Sequence, residues 1–134
     1  MVDQGMPSAQ QQQEASKKAV LIVEDHFYTR WGAAEYLRQS DYRVFEAMNV
    51  AEAIGIMNSG TRIDIVFSDI NMPGDQDGYF LAQWLEQKHP AIPVLLTSGD
   101  PRNSGAQAPG PKRRFIRKPY DPVEVEQILL SMLA

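Results

Sequence analysis

Val20, Leu21, Ile22 and Val23 form a continuous apolar run that stops at Glu24 and Asp25, as expected of a short strand covered on both faces. The same arrangement, an apolar run closed by polar groups, recurs down the chain and alternates with segments of helical spacing. Phe27, Trp31, Ala34 and Leu37 recur as one helix face, and Tyr42 to Ala47 then alternates like a strand around Val44. Asn49 and Glu52 resemble a capping box ahead of Val50, Ile54 and Met57, and Gly60 closes that helix. Ile63, Ile65, Val66 and Phe67 predict a third strand ending at Ser68 and Asp69. The loop Met72-Pro73-Gly74 leads through Asp77 and Gly78 to a helix with Leu81, Trp84 and Leu85, which ends at His89-Pro90. Ile92 to Thr97 reads as the fourth strand, with Pro93 tolerable at its start. Phe115 and Ile116 mark a brief fifth, and Asp121 and Pro122 open a last helix with Val125, Ile128, Leu129 and Met132 inward.

This order is (βα)5, and right-handed crossovers then imply one domain with a parallel sheet and helices on both faces. One part is irregular: Gly99 to Pro111 holds six Gly or Pro residues, so the fourth helix is expected to be short or absent. The chain's 134 residues suit one packed core. Residues 1–18, with Gln10 to Gln13 among small and polar neighbours, read as a disordered tail, and 19–134 as the domain. Trp31 and Trp84 are expected in the core, and His26 and His89 at the surface.

Several chemistries are excluded by composition. No cysteine is present, which removes disulfides and thiolate sites and fits a reducing compartment. The net charge of -4, with basic residues gathered only at Lys112, Arg113, Arg114, Arg117 and Lys118, argues against direct nucleic-acid binding. No apolar stretch approaches the roughly 18 residues of a membrane span, so the expectation is a cytoplasmic protein without membrane insertion.

Ligands of open α/β sheets bind beyond the carboxyl ends of the strands. Glu24 and Asp25 follow the first strand, Asp69 the third, Ser98 the fourth and Lys118 the fifth. Three carboxylates gathered there repel by up to about 4 kcal/mol per pair at 4 Å in a medium of effective dielectric 20. A hard divalent ion relieves this, and Mg²⁺ suits an all-oxygen site. Asp25 and Asp69 would bind it directly, with Glu24 reaching through water. A carboxylate can also attack a phosphoryl donor to give an aspartyl phosphate, with the metal and Lys118 neutralising the transferring group and Ser98 bonding a phosphate oxygen.

These residues resemble the receiver domains of bacterial response regulators in two-component signalling. The resemblance rests on Val20-Leu21-Ile22-Val23-Glu24-Asp25, Asp69-Ile70-Asn71-Met72-Pro73, Pro93-Val94-Leu95-Leu96-Thr97-Ser98-Gly99 and Lys118-Pro119, in order and at the expected gaps. It implies a doubly wound, flavodoxin-like sheet of order 2-1-3-4-5. It implies Asp69 as phosphoacceptor, Glu24 and Asp25 as the acidic pair, and Asn71 as a metal ligand through its backbone carbonyl. Ser98 would be the switch hydroxyl, Lys118 the phosphate-binding lysine and Phe115 the aromatic ring that follows phosphorylation, with Asn71 and Asp100 tuning phosphate loss. Thr97 competes with Ser98 for the hydroxyl role; the distance from Pro93 and the small Gly99 favour Ser98. The implied partners are a histidine kinase or histidine phosphotransfer protein and a downstream protein, and the chain would be a monomer or weak dimer. It would not be an enzyme acting on a separate substrate; it would assist its own phosphorylation and dephosphorylation. The alternative is a receiver-like interaction module that does not turn over phosphate. A flavin binder of the same sheet order is rejected, because acids stand after the first strand where a phosphate cradle needs Gly, Ser or Thr.

Overall fold

The computed structural model describes residues 5–103 and 112–134. Five parallel strands, β1 (Ala19–Val23), β2 (Arg43–Ala47), β3 (Ile65–Asp69), β4 (Val94–Ser98) and β5 (Arg113–Arg117), form one sheet of order β2-β1-β3-β4-β5. Among the described residues the helices are α1 (Ala9–Ser16), α2 (Phe27–Gln39), α3 (Val50–Asn58), α4 (Gly78–Lys88) and α5 (Pro122–Leu133). Every residue of β1, β3 and β4 is buried, whereas β2 and β5 are mostly part-exposed at the edges. That contrast is why the central strands read as continuous apolar runs.

Alternate residues of the sheet feed two cores. Leu21, Val66, Val94 and Leu96 pack on one face with Val50, Ala53 and Met57 of α3 and Leu81 and Leu85 of α4. Val20, Ile22, Ile65, Phe67 and Leu95 pack on the other with Ala33, Ala34 and Leu37 of α2 and Val125 and Leu129 of α5. The sheet order and two-sided cover match the doubly wound expectation. Of the stretch expected to carry a short or absent fourth helix, residues 104–111 lie outside the described residues.

Two expectations need correction. Phe27 and Trp31 are 55% and 51% exposed, although their spacing suggests an inward face. The buried stripe of α2 is centred on Ala33, Ala34 and Leu37, the two alanines letting the helix approach the sheet, and this rotation leaves Trp31 on the flank. Trp84 is part-buried against the α3–α4 core. The second correction concerns the tail, where α1 is helical rather than disordered. Its cause is local: the Ser8 side chain accepts from the Gln11 amide and Gln11 Oε1 accepts from the Ser8 amide, a complete capping box. No residue of α1 is buried.

Candidate functional site

The sheet order brings the ends of β1, β3, β4 and β5 to one edge. Oxygen atoms of Glu24, Asp25 and Asp69 lie within 4.8 Å of one another there. Glu24 and Asp69 are buried at 4% and 5% exposure while Asp25 is exposed, so the cluster opens to solvent on one side only. Lys118, just past β5, reaches back to place Nζ 2.6 Å from Glu24 Oε1 and 3.2 Å from Asp69 Oδ2. The peptide bond between Lys118 and Pro119 is cis.

Backbone donors hold the acids in place. Glu24 Oε2 accepts from the His26 amide at 3.1 Å, and Asp69 Oδ1 accepts from the Asn71 amide at 3.2 Å. His26 also caps α2, its Nδ1 accepting from the Thr29 amide, so Asp25 is not the helix cap. Burial pushes the Glu24 carboxyl above its usual range; hydrogen bonds from Lys118 and the His26 amide oppose this, and the Asp69 charge adds to it. For Lys118, burial opposes the charged form, yet the hydrogen bond to Glu24 and the charges of Asp69 and Glu24 together raise its pKa. Tyr120, part-buried beside the cluster, is likewise raised, by burial and then by Glu24 and Asp69. The arrangement is an electron-rich oxygen site with one ammonium group already engaged on two of its acids.

The hydroxyl candidates at the end of β4 differ sharply. Ser98 Oγ donates to Asn71 Oδ1 at 2.5 Å and accepts from the Asp100 amide at 3.0 Å and from Asn103 Nδ2 at 3.1 Å. Thr97 points to the opposite face of the strand, where its Oγ1 is buried without a hydrogen-bond partner. Phe115 sits opposite Leu96 in the β4–β5 ladder, part-buried against the α3–α4 core. The guanidinium of Arg117 lies 5.1 Å from the centre of its ring.

The family model for the response regulator receiver domain matches residues 20–130. The chain belongs to that family. The sensor histidine kinase RcsC of Escherichia coli K12 is 37% identical over 76 residues, which is 57% of this chain and 8% of that protein. Among solved structures, the response regulator receiver protein of Sinorhizobium medicae WSM419 aligns with a TM-score of 0.82 at 22% identity, covering 89% of this chain and 96% of that one. The response regulator TrrA of Thermotoga maritima, solved in complex with Mg(2+)-BeF, aligns with a TM-score of 0.77 at 25% identity, covering 87% and 99%. The chain is thus a two-component receiver domain homologous to one segment of a much longer kinase.

Of the residues singled out in the receiver sequence, the structure brings together Glu24, Asp25, Asp69 and Lys118, and links Asn71 to both Asp69 and Ser98. Phe115 stands farther along, connected to this edge through Arg117. Three contributors escape sequence reasoning. Asn103 and Arg117 meet the site only through tertiary proximity. Gly78 reads as turn chemistry, but a Cβ there would lie 2.3 Å from the Asp69 carbonyl oxygen and 2.7 Å from the Ile70 Cα. The Gly78 amide donates to the Ile70 carbonyl at 2.9 Å, so the start of α4 presses directly on the end of β3. An Asp-Gly pair opening a helix was the available signal.

Proposed function

We propose that this receiver domain accepts a phosphoryl group on Asp69 from a phosphohistidine of a histidine kinase or a histidine phosphotransfer protein, and passes the change to a downstream protein by altering its surface. The observation that carries the reading is the cluster itself. Glu24, Asp25 and Asp69 gather within 4.8 Å, with Lys118 bridging two of them. Formally, three carboxylates and one ammonium leave two negative charges, which a divalent cation balances. The donor set is all oxygen and therefore hard, which fits Mg²⁺. Asp25 and Asp69 would hold it directly, the Asn71 backbone carbonyl would add a third ligand and Glu24 would reach it through water. When bound, the ion supplies charge neutralisation to the transferring group.

In the transfer, an Asp69 carboxylate oxygen forms the new O–P bond while the P–N bond of the donor breaks and its electron pair returns to the imidazole. Lys118 Nζ, already 3.2 Å from Asp69 Oδ2, is placed to meet a phosphoryl oxygen arriving there. Ser98 then turns its hydroxyl to a second phosphoryl oxygen and Phe115 follows into the space released, changing the surface around β5. The side chains of Asn71 and Asp100 would tune how long the phosphate lasts, so the domain would assist both its own phosphorylation and its dephosphorylation.

The same reading takes 19–134 as the receiver unit, with 1–18 outside it; the lack of any buried residue in α1 supports this. It takes the protein as cytoplasmic, a monomer or weak dimer that does not bind nucleic acid directly. Among the described residues no helix is long and apolar enough to cross a membrane. Intact mass after incubation with acetyl phosphate tests the proposal. A gain of one phosphoryl unit that requires both Mg²⁺ and Asp69, and is absent from Asp69→Asn, is expected. No gain in a folded wild type would instead leave a receiver-like interaction module that does not turn over phosphate.

A further inference from the structure

The Ser98 hydroxyl in this structure has no hydrogen-bonding capacity left. A serine hydroxyl offers one proton and two lone pairs. Its proton goes to Asn71 Oδ1 at 2.5 Å, and its lone pairs take the Asp100 amide at 3.0 Å and Asn103 Nδ2 at 3.1 Å. To bond a phosphoryl oxygen on Asp69, Ser98 must withdraw that one proton from Asn71.

Asn103 opposes the withdrawal twice. Its amide group donates to Asn71 Oδ1 at 2.9 Å and to Ser98 Oγ at 3.1 Å, so both amide hydrogens close the triangle. Asn103 is itself held. Its backbone amide donates to the Asp100 carbonyl at 3.0 Å, Arg117 Nη1 donates to the same carbonyl at 2.7 Å, and Arg117 Nη2 donates to the Asn103 carbonyl. The same guanidinium lies 5.1 Å from the centre of the Phe115 ring, where cation–π attraction joins the two. One arginine therefore spans the loop that restrains Ser98 and the ring whose motion would follow it.

We propose that Asn103, clamped by Arg117, is a positioning residue that holds the Ser98 hydroxyl on Asn71 and so sets the resting side of the switch. The inference rests on Asp69 being the phosphoacceptor and names a control that this chain's own loop supplies. Its energetic logic is a population shift: contacts made only in the resting arrangement subtract from the apparent affinity for a phosphoryl mimic. Arg117 contributes on the same side, because its two loop contacts keep Asn103 in reach.

The test titrates the full chain with beryllofluoride in excess Mg²⁺, and separately with Mg²⁺ alone, for wild type, Asn103→Ala, Arg117→Ala, Ser98→Ala and the double variant Ser98→Ala/Asn103→Ala. Losing two neutral hydrogen bonds of the resting state should tighten beryllofluoride binding by Asn103→Ala roughly three- to tenfold. Arg117→Ala should shift it in the same direction. Affinity for Mg²⁺ alone should change far less, because Asn103 meets the proposed ligands only through the Asn71 side chain, not its backbone carbonyl, and bonds none of Glu24, Asp25 and Asp69; a general structural disturbance would move both alike. In the Ser98→Ala background the effect of Asn103→Ala should vanish. Equal or weaker beryllofluoride binding by Asn103→Ala, or tightening that persists without the Ser98 hydroxyl, would overturn the proposal. A wild type that binds no beryllofluoride in Mg²⁺ would overturn the phosphoacceptor reading first, and this one with it.

Discussion

Replacing Gly78 by alanine should be one of the more damaging single-methyl additions in the molecule, and its cost can be worked from the structure. The added Cβ would sit 2.3 Å from the Asp69 carbonyl oxygen, 2.7 Å from the Ile70 Cα and 3.0 Å from the Asp69 carbonyl carbon. Favourable contact between heavy atoms begins at about 3.5 Å, so β3 and the start of α4 must separate by about 1 Å. All three obstructing atoms are backbone, which cannot swing aside as a side chain does. Gly78 is not among the glycines with positive φ, so the penalty is steric rather than conformational. Overpacking of this kind costs about 1–3 kcal/mol. Taking ~2 kcal/mol and a urea m-value of about 2 kcal/mol/M, the unfolding midpoint should fall by about 1 M. Gly55 is the internal control. It is an exposed helix-interior glycine with nothing within 4 Å of an added Cβ, and Gly55→Ala should raise stability by about 0.5–1 kcal/mol. Urea titrations of the two variants beside wild type are the assay. Equal shifts, or a Gly78→Ala midpoint at or above wild type, would refute the claim that α4 closes on the end of β3 through this glycine. Because the strain falls on the Asp69 backbone, Gly78→Ala should also weaken Mg²⁺ binding, whereas Gly55→Ala should not.

Three other outcomes follow from the same geometry. Lys118→Met leaves Glu24 and Asp69 as buried acids without their cation, and without Mg²⁺ it should cost roughly 1–3 kcal/mol at neutral pH in urea unfolding. The pH profile has a definite sign: the Glu24 pKa is already raised above 4.5, so the folded state binds more protons than the unfolded one above that pH. Stability should therefore fall as pH rises through the folded value, more steeply in Lys118→Met, and added Mg²⁺ should flatten the slope. Thr97→Val removes a buried hydroxyl that has no partner and should be neutral or stabilising by up to about 1 kcal/mol, with phosphorylation intact; Ser98→Ala should instead uncouple phosphorylation from the Phe115 ring, read by aromatic NMR shifts. Hydrogen bonds from the Arg102 side chain and amide hold the Asp100 carboxyl down at about 2; the pairing should persist above pH 3.8 and be lost as pH falls through about 2, and in Arg102→Ala the carboxyl NMR titration should move up toward 3.8.

The strands were legible because burial on both faces demands unbroken apolar runs, and the polar residues that end them mark one edge of the sheet. Glu24, Asp25, Asp69 and Lys118 could therefore be brought together from order alone. The face of α2 was not legible in the same way. Phe27 and Trp31 are apolar at helical spacing, and periodicity does not show that the sheet needs the smaller Ala33 and Ala34 at its closest approach. In α1 the pair Ser8 and Gln11 carried a readable cap, but the segment buries nothing and so offers no apolar stripe. Ser98 and Thr97 are adjacent, and which one faces the α3–α4 core depends on β4 parity within the sheet. Asn103 and Arg117 are separated along the chain from the residues they restrain, and no local pattern couples a loop amide to a hydroxyl across a turn.

Borohydride reduction of the protein after treatment with acetyl phosphate and Mg²⁺, followed by peptide mapping, reads the central claim as covalent chemistry. An acyl phosphate is reduced to the alcohol, so the peptide spanning β3 should carry homoserine in place of Asp69, and only when Mg²⁺ was present. Homoserine at Asp25 or Glu24's homologous alcohol at position 24, a borohydride-resistant phosphate on a hydroxyl residue, or no modification of a folded protein would contradict the assignment of Asp69 as phosphoacceptor.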